Sequence, residues 1–362
     1  METHITDLPP ELILTVLDYL PGSDKVHLSQ TCTQFRKLCH IDSLWKKQCL
    51  RAFGSRQLEE YELSFYDIYI KGYHRFERCI GIYRRNWAVY GGLVQVKAEN
   101  GKIVVIEYEP PDNILGNLKW RYVFSIRISK VTNETEILGL NHRIGSIKLN
   151  QQIDDITFKH VEQGKLDYAY QWTDDNTILR INRHLFELTP IKIQPPNPCY
   201  PIQPGFFIAL YGTEGIQIVL LKYDMENRKA DVIKITGDAN CEAGDISIFV
   251  DLRKQLNMTR EQQADLDFMK SLNAEYITDV EDIHPMEQPL VLPPRNWTSQ
   301  ISTTSCQFRF FSRGIISSPS KGNPGKSSAG HFVVVSESCF INVWLEAKDE
   351  DMYMPFFRVQ LK

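Results

Sequence analysis

Apolar residues recur at helical spacing over the first fifty positions: Leu12, Ile13, Val16, Leu17 and Leu20, then Val26, Leu28 and Cys32, then Phe35 and Leu38, then Leu44 and Trp45. Thr6 or Asp7 can cap the first helix, Pro9 and Pro10 fall in its first turn where a missing N–H costs little, and Pro21-Gly22 closes it. Helices this short are marginal in water by themselves. The pattern therefore predicts a face buried against the rest of the chain or against another chain. Residues 53–90 follow as a connector dense in Tyr and Phe, too apolar for a solvated linker and expected to pack, partly helical, between two parts of the molecule.

From Gly91 the period falls to two. LVQVKAENGKIVVIEYEP is two alternating runs around Asn100-Gly101, a hairpin pattern. Similar runs recur through GFFIALYG, GIQIVLLKY, ADVIKITGD, DISIFVDL, GHFVVVS and CFINVWLEA, more than ten in all. One helix interrupts them, opened by Thr259 and Gln262 at capping-box spacing. The fold class expected is α+β: helices over 1–52, the connector over 53–90, and over 91–362 a large, mostly antiparallel β-barrel-like domain with one inserted helix, closure being the way so many strands deal with their edges.

Composition narrows the function classes. The chain has 362 residues, 43% hydrophobic and 24% charged, with a net charge of -4, which gives no reason to expect nucleic acid. No apolar run approaches the roughly 20 residues of a membrane span, and METHITDLPP lacks the pattern of a secretory leader. Eight scattered cysteines with no C-x-x-C pair read as reduced thiols, hence cytoplasm or nucleus. The G-x-S-x-G, H-E-x-x-H, P-loop and G-x-G-x-x-G patterns are absent, and the acidic patches DVEDIH and KDEDMY have no nucleophilic or basic partner at informative spacing. The expectation is a non-catalytic protein without a cofactor.

Leu8-Pro9-x-Glu11-Leu12, Leu17, Leu20-Pro21, Asp24, Leu28, Cys32, Phe35, Leu38 and Leu44-Trp45 together resemble an F-box, with Phe35 standing where that family usually has Trp. The resemblance implies docking on a Skp-family adaptor, and through it on a cullin and a RING subunit, with Leu8, Pro9, Leu12, Ile13, Leu17, Leu20, Leu28, Phe35, Leu44 and Trp45 as candidate adaptor-binding residues. From Lys25 to Arg51 six basic residues face one acidic residue, Asp42, a local +5 that suits an acidic adaptor. The plainer alternative is a helical cap packed on its own domain.

Five stretches, YGGL (90–93), YGTEGIQIVLL (211–221), KITGDANCEAGDISIFVDL (234–252), PLVLP (289–293) and FINVWLE (340–346), resemble the substrate-binding half of F-box substrate receptors. That resemblance implies a barrel-like domain holding the end of a target chain for ubiquitination. The family prototype carries a Cys/His cluster in the stretch corresponding to about 137–172; here that stretch holds His142 and His160 but no cysteine, so no zinc is expected. Candidate substrate-binding residues are Tyr211, Thr213, Lys234, Thr236 and Asp238, on strand ends and turns at a barrel rim. Asp238 and Lys234 point opposite ways. A carboxylate only accepts hydrogen bonds and suits an amidated or uncharged chain end, whereas Lys234 suits a free carboxylate. A turn role for Asp238 and a solvated strand position for Lys234 are the bland readings. Two further alternatives are a small-molecule-binding barrel and an F-box protein acting with Skp outside a ubiquitin ligase.

Overall fold

A computed structural model describes residues 4–54, 63–86, 89–138, 143–146, 156–159, 168–172, 177–181, 184–272, 274–292, 301–317, 326–346 and 353–362, the strands between 143 and 187 by their backbone. His142, His160, Ser318-Pro319 and most of the KDEDMY patch lie outside the described residues. The chain divides into two compact units, residues 1–83, 94–107 and 121–189 in the first, residues 84–93, 108–120 and 190–362 in the second.

The first unit opens with four short helices, α1 (Pro10–Tyr19), α2 (Gly22–Ser29), α3 (Thr33–Cys39) and α4 (Asp42–Phe53). Each begins or ends where the sequence supplies a device. Pro10 is the first residue of α1, Cys32 Sγ accepts the Phe35 N–H at the start of α3, and Gly54 closes α4 at φ 65°. Ile13, Leu17, Phe35, Cys39 and Leu44 form one small core. Trp45, Cys49 and Phe53 point the other way, into a larger core with Ile68, Tyr69 and Phe76 of the connector, where α5 (Phe65–Tyr69) leads into a wider helical turn over Ile70–His74. The Trp45 indole N–H donates to the Cys39 carbonyl, and its ring packs against Tyr66 and Tyr69.

Ten strands make a single antiparallel-rich sheet: β1 (Gly81–Asn86), β2 (Leu93–Glu99), β3 (Lys102–Glu109), β4 (Lys119–Ile128), β5 (Thr135–Leu138), β6 (Arg143–Ser146), β7 (Ile156–Lys159), β8 (Tyr168–Trp172), β9 (Thr177–Ile181) and β10 (His184–Ile191). Their spatial order is β6-β5-β4-β3-β2-β1-β10-β9-β8-β7. The β2–β3 turn takes the left-handed conformation at both Asn100 (φ 50°) and Gly101 (φ 75°), as the Asn-Gly pair predicts.

The second unit holds a closed barrel. Its strands are β11 (Gly205–Leu210), β12 (Ile216–Asp224), β13 (Lys229–Lys234), β14 (Ile246–Gln255), then, after the short pair β15 (Gln288–Pro289) and β16 (Ser305–Cys306), β17 (Phe308–Ser317), β18 (Lys326–Ser336), β19 (Cys339–Trp344) and β20 (Tyr353–Arg358). Hydrogen bonding runs β11-β12-β13-β14-β17-β18-β19-β20, and β20 returns to β11 with Phe207 opposite Arg358. The interior is filled with side chains, among them Phe207, Phe310, Phe332, Phe340 and Phe356. The strands expected as one domain over 91–362 thus belong to the ten-stranded sheet, the barrel and the separate β15–β16 pair. The single inserted helix is two, α6 (Arg260–Ala264) and α7 (Leu266–Ser271): the Thr259–Gln262 capping box forms as expected, but Asp265 leaves helical geometry and caps α7 through the Phe268 N–H. Among the described residues no helix is long and apolar enough to cross a membrane.

Candidate functional site

Two surfaces stand out. On α1, Ile5, Leu8, Leu12, Val16 and Tyr19 are exposed by 49, 36, 52, 44 and 85%. Their spacing of three and four residues lines them along one flank of the helix and the turn before it. Ile13 and Leu17, on the opposite flank, are in the small helical core. Of the ten candidate adaptor-binding residues, Leu8, Pro9 and Leu12 are exposed and Leu20 and Leu28 half-buried, while Ile13, Leu17, Phe35, Leu44 and Trp45 are interior. The reason is simple: both flanks of α1 are apolar, and the α3–α4 packing takes one of them. Lys25 also differs from its expected place on a basic rim. It is fully buried, with its Nζ donating to Gln48 Oε1 at 3.1 Å.

The second surface is a cleft of about 630 Å³ at one mouth of the barrel. Strand ends and turns build it: the 211–215 turn between β11 and β12, the 235–245 loop between β13 and β14, Ile315 and Ile316 at the end of β17, and Trp344 and Tyr353 on β19 and β20. Burial alternates along β13, so Ala230, Val232 and Lys234 all face inward. Lys234 is therefore at the top of the core rather than in solvent, with no exposure at all. Its Nζ lies 3.1 Å from the centroid of the Tyr211 ring and 3.0 Å from Asp238 Oδ2. The Tyr211 hydroxyl is 2.8 Å from Ser247 Oγ, which fixes the ring.

Asp238 caps its own turn. Its Oδ1 accepts the Asn240 and Cys241 backbone N–H groups at 2.8 and 2.9 Å, leaving Oδ2 for Lys234. The turn role and the ion-pair role thus coexist in one side chain. Burial pulls the Asp238 carboxyl upward, but the Lys234 charge and the two N–H donors outweigh it and hold the group below the usual carboxylate range. Burial lowers Lys234 by more than Asp238 raises it.

The 235–245 loop is held from outside the barrel strands. Gly92 N–H donates to Ile235 O, Gly237 N–H to Tyr90 O, and Ala243 N–H to Val89 O. Gly91 pairs with Thr236 at φ 66°, where a Cβ would lie 2.2 Å from that of Ala243. Only glycine fits there. The YGGL and ITGDANCEAG stretches, far apart in sequence, are therefore one piece of structure.

Thr213 lines the cleft and is exposed. Thr236 does not line it: its Oγ1 accepts the Ile218 N–H at 2.7 Å and completes the β12–β13 junction instead of the polar set of the site. Sequence reasoning passed over Glu214, Cys241 and Trp344, which line the cleft, and Ser247, which orients Tyr211. All four lie inside the stretches that carry the resemblance but have no pattern of their own.

An F-box-like domain matches residues 5–51, and a Cyclin D1 binding domain matches residues 189–362. The chain thus carries an F-box-like domain over its four N-terminal helices, and the second match spans its barrel. Over most of its length it is homologous to F-box only protein 31: 24% identical to the rat protein over 434 aligned positions, covering 96% of this chain and 84% of that protein. It is 25% identical to F-box only protein 31-B of Xenopus laevis, covering 96% and 83%. With the human protein the identity is 28% over 291 residues, 70% of this chain and only about half, 53%, of the human chain.

Proposed function

We propose that this chain is the substrate-recognition subunit of an SCF-type ubiquitin ligase and that its barrel holds the C-terminal end of a target protein. The F-box-like match supports attachment to a Skp-family adaptor, and through it to a cullin and a RING subunit. The exposed flank of α1 supplies the surface, since burying a side chain such as Leu12 or Val16 fully is worth about 1.5–3 kcal/mol. The matched domain's description, a cyclin D1 binding domain, supports a protein ligand for the barrel. A filled barrel interior disfavours the small-molecule alternative. The chain itself contributes no chemistry; transfer of ubiquitin belongs to the other subunits.

The preference is for an amidated or otherwise uncharged end, and the state of Lys234 and Asp238 carries it. Lys234 has no exposure and is engaged by Asp238, whereas the Asp238 side chain retains 6%. Of this ion pair, the member within reach of an incoming chain end is the carboxylate. A terminal amide donates N–H to it, in a charged hydrogen bond worth about 1.5–3 kcal/mol. A free acid meets like charge, with the cation shielded behind.

Matched peptides ending in a primary amide, a methyl ester and a free acid test this by titration calorimetry. The amide is expected to bind about tenfold more tightly than either, the ester separating N–H donation from neutrality. Equal affinity for amide and acid ends the proposal. For the adaptor face, Leu12→Asp is expected to weaken Skp binding at least about tenfold in a surface-resonance assay. Its melting temperature should hold, because Leu12 is 52% exposed in the free chain. Unchanged adaptor affinity would place the interface elsewhere.

A further inference from the structure

Among the described residues, the cleft has three charged ones on its walls, Glu214, Lys234 and Asp238. Lys234 and Asp238 are an ion pair of zero net charge, with the cation buried. Glu214 is what remains. It is exposed and forms no salt bridge with a described residue, although its charge also favours the buried Lys234 cation. The turn carrying it is fixed: Gly212 and Gly215 take φ of 53° and 81°, Tyr211 N–H donates to Gly215 O at 2.9 Å, and Glu214 N–H donates to Tyr211 O at 3.0 Å. Gln217 Nε2 donates to the Glu214 carbonyl at 3.1 Å, anchoring the turn to β12. The surrounding wall is apolar, with Ile114, Leu210, Ile315 and Met354. An unbalanced negative charge on a rigid turn beside such a wall attracts a cation more strongly than one in open water.

We propose that Glu214 is a specificity residue: it selects targets with Lys or Arg among the residues just upstream of the bound chain end, and it disfavours Asp, Glu or a phosphorylated residue there. This rests on the end-binding reading. A chain end seated near Asp238 runs outward in extended form past the mouth of the cleft, so the residues meeting Glu214 precede the terminal one. A phosphate at those positions carries about -1.5 to -2 charges, so phosphorylation close to the end of a target would release it rather than recruit it.

The test is a peptide set with one constant amidated terminal residue and Lys, Ala, Glu or phosphoserine at each of the preceding three positions, titrated onto the full chain. At the best position Lys is expected to bind about tenfold more tightly than Glu, a difference of about 1.4 kcal/mol, and phosphoserine more weakly still. The ranking should contract in 0.5 M salt, as about 4 Å of screening length demands. Glu214→Gln should abolish the ranking, so that the Lys and Glu peptides bind alike, and Glu214→Lys should reverse it. A ranking that survives Glu214→Gln, or a parent chain indifferent to these charges, overturns the assignment. If the parent chain binds none of the peptides, amidated or acid, the end-binding reading itself has failed and the assignment falls with it.

Discussion

Replacing Lys234 with Met is expected to destabilise the barrel by about 3–5 kcal/mol, the range for a buried ion pair that loses one partner. The side chain it replaces has no exposure and lies between the Tyr211 ring and Asp238 Oδ2. Methionine fills the volume but leaves the carboxylate in a poorly solvated place. Asp238 keeps its Asn240 and Cys241 N–H donors, which points to the lower end of the range. Adding Asp238→Asn removes the stranded charge and preserves an acceptor for those two donors, so the double variant should recover most of the loss. Urea unfolding gives the totals, and hydrogen exchange of the β13 and β14 amides locates the effect. If Lys234→Met unfolds at the parent's midpoint, Lys234 and Asp238 are not a coupled pair and the argument for an amide end loses its basis.

The second large effect is a loss of stability in mild acid centred on His331. This side chain is fully buried, with Nδ1 3.4 Å from an Arg309 guanidinium nitrogen. Arg309 is itself buried and is held by a neutral partner, Gln263 Oε1, at 2.7 Å. Burial and then the Arg309 charge push the imidazole down to about 3. The Cys306 thiol and Tyr353 phenol that also face Arg309 are raised by burial and stay neutral in acid. The unfolded chain takes up a proton on this histidine near pH 6.5 and the folded chain does so only near pH 3. The stabilisation is therefore complete above about pH 6.5 and is lost as pH falls toward 3, at roughly 1.4 kcal/mol per unit. Between pH 7.5 and pH 4.5 the parent should lose about 2–3 kcal/mol more than His331→Phe, measured by urea unfolding at each pH. Asp238, held low, contributes its own loss only further into acid. Parallel pH profiles for parent and variant would rule His331 out as the source.

How much of this the sequence discloses depends on the element. The four N-terminal helices are legible because proline, glycine and small polar residues punctuate an apolar 3.6 period. Which flank of α1 stays free is not legible, since Leu8, Leu12 and Val16 are as apolar as Ile13 and Leu17, and only the packing of Phe35 and Leu44 separates them. The barrel strands announce themselves by alternation, yet the same alternation runs through the ten-stranded sheet, and nothing local marks where one sheet ends and the other begins. The YMPFFR strand that closes the barrel is short and opens on bulky residues around a proline, a weak strand pattern. At the site, hydropathy favours the solvated alternative for Lys234, whereas its parity with Val232 sets it on the inner face; parity is the better guide, because Asp238 four residues on supplies a counter-charge that hydropathy does not count. Thr236 fits the same parity but falls beyond the last residue of β13, where the chain turns to meet Ile218.

The three backbone hydrogen bonds from residues 89–92 to the 235–243 loop set a rule for cutting the chain. A fragment beginning at residue 189, where the barrel's domain match starts, retains all eight strands and would be expected to fold. It nonetheless lacks the clip that holds the loop bearing Asp238. Such a fragment would report the barrel's stability faithfully and underestimate its ligand affinity, and residues 89–92 supplied in the same chain, rather than more barrel, are what would restore it.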